Sequence, residues 1–279
     1  LNNDSNQPMM SRYKQTYTPG STMKPITAAI GLETKTIDPD KDLGAKDKWQ
    51  KDSSWGSYYV TTLHAPSPNN LKNAITYSDN VYFARSALNI GKDNLFKYYK
   101  NLKIVEKIPF ELALNKSQYI NKNQKANDQL IGDSGYGQGQ ILMNPLQLAS
   151  IYSAFVNNGS IYRPHLVEQG EQMWIQRVFS DKTVKTIKED LINVIADEKG
   201  TGHAIYRDNV ILAGKTGTAE IKQSQSDTTG TELGWFTVMT TDSKQPLLIT
   251  TMVEDVKDRG GSGYVVEHTK TPLDLYLSK

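Results

Sequence analysis

The sequence contains no cysteine, and this absence removes several kinds of chemistry at once. Without thiols the chain has no disulfide, no thiolate nucleophile and no cysteine-type zinc site. Its four histidines are scattered and form no H-E-x-x-H pair, so metal-dependent hydrolysis has no recognisable ligands. We therefore expect no metal and no cofactor.

Charge of one sign and long apolar runs are also lacking. The 32 basic and 30 acidic residues give a formal net charge of +2, which offers no electrostatic reason to expect nucleic acid as a partner. No apolar run reaches the length of about 18 residues that a membrane-spanning helix requires, and no signal-peptide pattern is present. Any export signal or anchor is therefore expected outside this chain.

The residues that are present describe a mixed fold. With 279 residues, 37% of them hydrophobic, the chain can bury a full core as one domain or two intimate lobes. Helical spacing dominates until about residue 205, and three β-rich segments follow over 209–256. We expect an α+β fold in which a mainly helical lobe, about 33–205, is inserted between a first helix and an antiparallel sheet. Helices before and after the strands would cover one face of that sheet.

Several local boundaries can be predicted from turn and capping residues. Residues 33–68 are rich in polar and turn-forming residues and predict a long excursion with one short hairpin. Asn144 and Ser180 are predicted N-caps of two helices, and Pro145 fits the first position after its cap. A closing helix is predicted over 263–278.

The segment "PGSTMKPITAAIGL" places Ser21 one turn ahead of Lys24 at the start of a helix. Side chains three residues apart share a helix face, so the lysine can reach the hydroxyl; it would act as a base if burial or a second cation such as Lys215 lowered its pKa. The alternative is a capping serine with a solvated lysine, and the same spacing recurs at Ser11-Arg12-Tyr13-Lys14. Pro25 would leave the carbonyl of Ser21, or of its neighbour, without its helical partner, which favours a functional site.

Two further segments carry chemistry. Ser78-Asp79-Asn80 offers a hydroxyl for proton transfer and a carboxamide for a peptide-like substrate, although it could equally be a cap at a helix junction. Lys215-Thr216-Gly217-Thr218 lies on a predicted strand, where its glycine allows close backbone approach and its hydroxyls could bind a carboxylate beside the lysine. The alternative for the Lys215–Thr218 segment is a bulged edge strand.

Together, in this order, the three motifs are an established signature of class A β-lactamases and penicillin-binding proteins. Longer segments, "YTPGSTMKPITAAIGLE", "AITYSDNVYFARSALNIG", "GYGQGQILMNPLQLASIYSAFVNNG" and "AGKTGTAE", resemble the transpeptidase domain of class B penicillin-binding proteins. "WQKDSSWG" (49–56) and "DSGYGQG" (133–139) resemble its low-affinity, β-lactam-resistance-associated members from Gram-positive bacteria. The resemblance extends from about Arg12 to the carboxyl terminus and implies the penicillin-binding-protein and serine β-lactamase-like fold.

The resemblance also implies roles for individual residues. Ser21 would attack the carbonyl of the penultimate D-Ala in a D-Ala-D-Ala stem peptide, and Lys24 would take its proton. Ser78 would pass a proton to the departing D-Ala, while Asn80 would hold the substrate amide. The resulting acyl-enzyme would be resolved by an amine of a neighbouring stem peptide, and a β-lactam would imitate the donor.

The third motif would bind the substrate's terminal carboxylate. The resemblance implies that Lys215, Thr216 and Thr218 position this group beside Gly217, and that the backbone N–H groups of Ser21 and Thr218 form the oxyanion hole.

The resemblance further implies a location on the outer face of the cell membrane and partners such as a glycosyltransferase and other cell-wall synthesis proteins. Because the family's sheet includes strands upstream of the nucleophile and 20 residues precede Ser21, we expect residues 1–279 to be one transpeptidase domain without those strands.

Some alternatives remain open on sequence grounds. "ELALN" (111–115) matches the E-x-x-L-N motif of class A β-lactamases, in which the glutamate activates water, although its flanks resemble penicillin-binding proteins. A β-lactamase, a D,D-carboxypeptidase and a non-catalytic β-lactam sensor are therefore competing interpretations. Tyr136, Gln138 and Trp235 could line the cleft or belong to the core. Glu220 is expected to be a surface carboxylate at a strand end, and residues 222–232 could form a flap or a passive loop.

Overall fold

The computed structural model describes residues 11–168, 170–221, 229–242 and 244–278. The helices are α1 (Lys24–Glu33), α2 (Leu71–Thr76), α3 (Asn80–Ile90), α4 (Lys92–Asn101), α5 (Asp128–Gly135), α6 (Pro145–Ser153), α7 (Asp181–Ala196) and α8 (Ser262–Leu277). The strands are β1 (Lys48–Trp49), β2 (Val60–Thr61), β3 (Ile161–Tyr162), β4 (Met173–Ile175), β5 (Leu212–Ile221), β6 (Thr231–Thr240) and β7 (Leu248–Val253). A mixed α+β architecture, as expected from the sequence, is thus confirmed.

The largest sheet of the described residues is antiparallel, with the strand order β5-β6-β7. Its central strand, β6, is buried on both faces. Phe236 and Val238 pack with Val265 of α8, whereas Trp235 and Met239 face the core that the other helices share. The expectation that helices cover one face is therefore wrong: β6 carries apolar residues at consecutive positions, which is typical of a strand covered on both sides.

Helix α1 lies at the centre of the helical part of the molecule. Its residues 24–31 are all buried, and the helix packs against α3 and α7. A helix that is buried all round belongs to the interior of a large core. Since Ser21 lies immediately before α1, the nucleophile motif is fixed between this core and the sheet.

Several local predictions are confirmed. β1 pairs with β2 to form a short hairpin within the 33–68 excursion. The Asn144 side chain caps α6 by accepting from the Leu146 N–H, and Ser180 caps α7 through the Thr183 N–H. The closing helix is α8. These predictions succeed because they rest on local hydrogen bonding and turn chemistry.

Two further points concern the described part of the chain only. Within those residues, no helix is both long and apolar enough to cross a membrane. The flap or passive loop considered over 222–232 falls mostly on residues 222–228, which lie outside the described residues.

Candidate active site

Ser21 lies in a tight 3₁₀ turn, Gly20–Met23, which leads directly into α1. The backbone N–H of Lys24 donates to the Ser21 carbonyl, so this carbonyl has a partner although Pro25 has no N–H. Pro25 falls in the first turn of α1, where proline is tolerated. Pro25 thus deprives the Ser21 carbonyl of its α-helical partner, as the sequence indicated, and the 3₁₀ bond from Lys24 replaces it.

The alternative considered from the sequence, in which Ser21 is a capping serine and Lys24 a solvated lysine, is wrong. Pro19 and Met23 occupy the N-cap positions of the 3₁₀ turn and of α1, and neither makes a side-chain cap bond. Lys24 is fully buried and Ser21 is 9% exposed. Burying a lysine is unfavourable unless its nitrogen is hydrogen-bonded, so the contacts of this nitrogen are decisive.

The Lys24 ammonium nitrogen joins the first motif to the second. Its Nζ lies 2.8 Å from Ser21 Oγ, 3.0 Å from Ser78 Oγ and 2.7 Å from Asn80 Oδ1, and it also donates to the Ser78 carbonyl at 2.5 Å. The structure thus brings together Ser21, Lys24, Ser78 and Asn80, although 56 positions separate Lys24 from Asn80.

The environment of Lys24 favours its neutral form. Burial lowers its pKa well below the usual value, the charge of Lys215 lowers it further, and the carboxylate of Asp79 opposes the shift. Burial also lowers the pKa of Lys215, to about 7. A lysine with a lowered pKa can accept a proton near neutral pH, which is the requirement for a general base.

Ser78 lies between the two lysines. Its Oγ is 2.9 Å from Lys215 Nζ as well as 3.0 Å from Lys24 Nζ. Ser78 adopts a left-handed backbone conformation with φ of +61°, which is uncommon outside glycine and occurs often at functional sites. The hydroxyl is therefore placed to receive a proton from one lysine nitrogen and to be polarised by the other.

Asp79 is the buried cap of α3. Its Oδ1 accepts from the N–H of Val81 at 2.7 Å and from that of Tyr82, while its Oδ2 accepts from Asn69 Nδ2 at 3.0 Å. Burial raises the pKa of Asp79. The helix-junction cap considered from the sequence is thus correct for Asp79, and it holds the two neighbouring side chains toward Lys24. Sequence reasoning missed the role of Asn69, because an asparagine in a turn carries no distinguishing signal.

The third motif lies on β5, one of the two edge strands of the described three-stranded sheet. The register between β5 and β6 continues from Leu212 to Ile221 without a shift, so the bulge considered from the sequence is absent there. A Cβ on Gly217 would lie 3.0 Å from Thr22 Cγ2 and 3.1 Å from the Pro19 carbonyl oxygen. The glycine therefore allows the nucleophile turn to approach the strand, as the sequence suggested.

The two threonines of this motif each meet a further group. Thr216 Oγ1 donates to Thr201 Oγ1 at 2.7 Å, and Thr218 Oγ1 accepts from the Ser262 N–H at 3.3 Å. Sequence reasoning missed Thr201, which lies in a polar turn after α7 and has no motif around it. Both threonines are thus hydrogen-bonded from elements distant in the chain.

A glycine-rich turn supports the nucleophile. The Gly20 N–H donates to the Gly137 carbonyl at 2.9 Å, and a Cβ on Gly137 would lie 1.9 Å from the Gly20 oxygen. A Cβ on Gly20 would in turn lie 2.6 Å from the Thr218 oxygen. The "GYGQG" turn, the nucleophile turn and β5 therefore touch backbone to backbone, which only glycine permits at these positions.

The structure also places the residues considered as cleft-lining or water-activating side chains. Trp235 is fully buried and its Nε1–H donates to the Thr18 carbonyl at 3.0 Å, so it belongs to the core. Tyr136 donates to Asp133 Oδ1 at 2.6 Å. Glu111 is exposed and accepts from the Leu166 N–H at 3.2 Å.

Two remaining expectations concern acidic side chains. Glu220 is exposed near the end of β5, as expected. Within the described ranges, no cluster of three or more acidic or histidine side chains could hold a metal ion.

Comparison with known proteins identifies relatives along the whole chain. A family model described as penicillin binding protein transpeptidase domain matches residues 1–271. The chain is 42% identical over 275 residues to penicillin-binding protein 3 of Bacillus subtilis, covering 97% of the chain and 41% of that protein. It is 27% identical to peptidoglycan D,D-transpeptidase MrdA of Haemophilus influenzae, covering 100% of the chain and 47% of that protein. The chain thus spans less than half the length of these relatives.

Solved structures agree on the fold. The transpeptidase domain of penicillin-binding protein 3 from Burkholderia pseudomallei superposes with a TM-score of 0.79 at 17% identity, covering 95% of this chain and 81% of that one. A complex of penicillin-binding protein PBP2 with MreC from Helicobacter pylori gives a TM-score of 0.78 at 23% identity, covering 98% and 52%. The fold expected from the resemblance is confirmed by these similarities.

Proposed function

Because this chain belongs to the penicillin-binding protein transpeptidase family, we propose that it is the catalytic domain of a serine D,D-transpeptidase that cross-links peptidoglycan stem peptides. The observation that carries the proposal is the buried cluster in which Lys24 Nζ lies within 3.0 Å of both the Ser21 and the Ser78 hydroxyls. A hydroxyl nucleophile with an adjacent base of lowered pKa is the arrangement that acyl transfer requires.

In the acylation step, Ser21 Oγ attacks the carbonyl carbon of the penultimate D-Ala. The hydroxyl proton passes to Lys24 Nζ, which is 2.8 Å away. The amide bond to the terminal D-Ala then breaks, and its amine takes a proton through the Ser78 hydroxyl, which Lys24 and Lys215 both contact. An ester on Ser21 results, and an acceptor amine later attacks this ester and restores the serine.

Substrate binding uses the surrounding groups. Asn80 holds the peptide amide of the donor, while Lys215, Thr216 and Thr218 bind its terminal carboxylate beside Gly217. The N–H groups of Ser21 and Thr218 stabilise the oxyanion, and donors of this kind contribute about 3 kcal/mol each to transition-state stabilisation. The close packing of Gly20 against the Thr218 oxygen supports this last assignment, since it brings the two backbones together.

We further propose that the chain belongs to the low-affinity, resistance-associated group and is acylated slowly by β-lactams. Support comes from the resemblance of the 49–56 and 133–139 segments to that group.

The wider assignments are proposals of the same kind. Residues 1–279 form one transpeptidase domain whose mainly helical lobe, about 33–205, lies between the Ser21 helix and the 209–256 strands; the family match over residues 1–271 supports this. The domain acts on the outer face of the cell membrane, with cell-wall synthesis proteins such as a glycosyltransferase as partners. The complex of a structurally similar protein with MreC supports an assembly of this general type.

The hydrolytic alternatives receive less support. A β-lactamase of the E-x-x-L-N type needs its glutamate beside the acyl ester, whereas Glu111 is exposed and accepts from the Leu166 N–H. The Ser21 hydroxyl contacts Lys24 Nζ, and within the described residues the other hydrogen-bond partners of this nitrogen are the Ser78 hydroxyl and carbonyl and the Asn80 carboxamide, none of them a carboxylate. We therefore assign to Glu111 a surface role.

The test is an exchange assay with a stem pentapeptide ending in D-Ala-D-Ala and a labelled D-amino acid as acceptor. We expect the label to replace the terminal D-Ala in the wild-type chain and in Glu111→Gln, and we expect no product with Ser21→Ala. If the only product were hydrolysed tetrapeptide, the chain would be a carboxypeptidase; loss of hydrolysis in Glu111→Gln would support a glutamate-activated water instead.

A further inference from the structure

Thr201 lies in the turn that follows α7, and this turn is rigidly held. The Gly202 N–H donates to the Val194 carbonyl at 3.0 Å, and a Cβ on Gly200 would lie 2.3 Å from that same oxygen. The Thr201 N–H points to the Thr76 carbonyl at 3.4 Å, near the end of α2. The hydroxyl of Thr201 is therefore presented to β5 by a fixed backbone.

The hydroxyls of Thr201 and Thr216 form a directed pair. A threonine hydroxyl has one proton to donate and two lone pairs that accept. In this structure the Thr216 proton points to Thr201 Oγ1 over 2.7 Å. The same proton cannot at the same time be donated to a carboxylate, so an anion can use Thr216 only if the pair reverses.

Reversal is possible because Thr201 is half-buried and its hydroxyl can rotate. After reversal Thr201 would donate to Thr216 Oγ1, and Thr216 would donate outward. Hydrogen bonds linked in this way polarise one another, so donation from Thr201 makes the Thr216 hydroxyl a stronger donor to a negative charge. In contrast, Thr218 accepts from the backbone N–H of Ser262; this bond cannot reverse and does not use the Thr218 proton.

The geometry points to Thr201 as a positioning residue for the anionic end of the substrate: it donates to Thr216 when a carboxylate is bound and accepts from it when none is present. This inference rests on the proposed function, in which Thr216 and Thr218 bind the terminal carboxylate. It predicts that Thr201 acts on carboxylate recognition and not on the chemistry at Ser21.

The test compares acylation of Ser21 by benzylpenicillin and by its methyl ester, which has no carboxylate charge, with intact mass as the readout. In Thr201→Val the side-chain shape is kept and the hydroxyl is lost. We expect this variant to be acylated by benzylpenicillin about fivefold more slowly, the effect of one hydrogen bond, and by the methyl ester at the wild-type rate. Thr201→Ser keeps a hydroxyl and should keep the wild-type ratio of the two rates.

A second comparison uses the partner hydroxyl. Thr216→Val removes the hydroxyl that would contact the carboxylate. If the two residues act as one unit, adding Thr201→Val should not change the acylation rate further with either benzylpenicillin or its methyl ester. Equal slowing with both compounds, or an additive loss in the double variant, would overturn the inference and leave Thr201 a structural tie between α7 and β5. Absence of any adduct in the wild-type chain would instead contradict the proposed function itself.

Discussion

The proposed chemistry depends on a single nitrogen atom, Nζ of Lys24. Four oxygen atoms lie within hydrogen-bond distance of it, two from hydroxyls and one each from a carbonyl and a carboxamide. An ammonium donates three protons, whereas a neutral amine has a lone pair that can accept a proton from one of the two hydroxyls. The proposed step from Ser21 to Lys24 is this reverse donation.

Burial lowers the pKa of Lys24 most, and the charge of Lys215 lowers it further. Because that charge lowers the pKa of Lys24, the rate of acylation should rise with pH as Lys24 loses its proton. In Lys215→Gln the charge is absent and the pKa of Lys24 is higher, so the rising limb of the profile should move to higher pH. The measurement is acylation by the neutral methyl ester of benzylpenicillin, in which carboxylate binding plays no part. An unchanged limb would show that Lys24 is not the group that titrates.

At this scale the sequence predicted much of the site. Ser21, Lys24, Ser78, Asn80 and Lys215 could be named because their residue types and spacing have a specific chemical use. Their distances could not be predicted, since they depend on packing between segments far apart in the chain. Thr201 and Asn69 escaped notice because an isolated polar residue in a turn looks the same whether or not it supports a site.

At the scale of elements, the glycine-rich turn after α5 acts as a support for the nucleophile turn. Gly137 has a φ of +81° and accepts the Gly20 N–H through its carbonyl. Gly91 has almost the same φ, +80°, but a Cβ there would meet nothing within 4 Å. Alanine variants at the two glycines therefore distinguish the effect of backbone strain from the effect of a steric clash with the nucleophile turn.

Gly137→Ala should reduce the rate of acylation at Ser21 by about tenfold or more, since displacing a reacting group by a fraction of an ångström has effects of this order. Gly91→Ala carries a similarly unfavourable positive φ, which costs about 1–3 kcal/mol of stability, and should be acylated at the wild-type rate. Acylation kinetics by intact mass provide the measurement. Equal rates in the two variants would mean that the turn does not position Ser21.

Helix α7 contains a buried carboxyl group that the proposed mechanism does not use. Asp190 is 6% exposed, and within the described part of the chain its Oδ2 has no hydrogen-bond partner. Burial raises the pKa of Asp190 to about 7, with Lys72 lowering it and Glu189 raising it. The folded pKa lies above that of the unfolded chain, so the stability of the fold falls as pH rises from about 4 to about 7 and stays reduced above that range.

Asp190→Asn removes this charge. We expect it to increase the free energy of unfolding by about 2 kcal/mol at pH 8, where the buried carboxylate would be ionised, and by little at pH 4. Urea unfolding at the two pH values gives the answer. Glu189→Gln, an exposed neighbour on the same helix, is the control and should stay within about 0.5 kcal/mol; an equal gain at both pH values for Asp190→Asn would argue against an ionisable cause.

For the whole molecule, the site depends on the complete fold. The three motifs come from the turn before α1, the junction of α2 and α3, and strand β5, and each is held by backbone contacts to another element. The sequence predicted the first helix, the capped helices α6 and α7, the closing helix and the three-stranded meander because periodicity and capping are local. It did not predict that helices cover both faces of β6, since this depends on how the lobes pack.

The central claim is that Ser21, and no other serine, is the nucleophile. The chain offers a matched control, because Ser11 and Lys14 repeat the spacing of Ser21 and Lys24. The measurement is peptide mapping after incubation with benzylpenicillin, applied to the wild-type chain, Ser21→Ala and Ser11→Ala. We predict a lasting adduct on the peptide that contains Ser21 in the wild-type and Ser11→Ala chains, and none in Ser21→Ala. An adduct that persists in Ser21→Ala, or that maps to Ser11, would contradict the account.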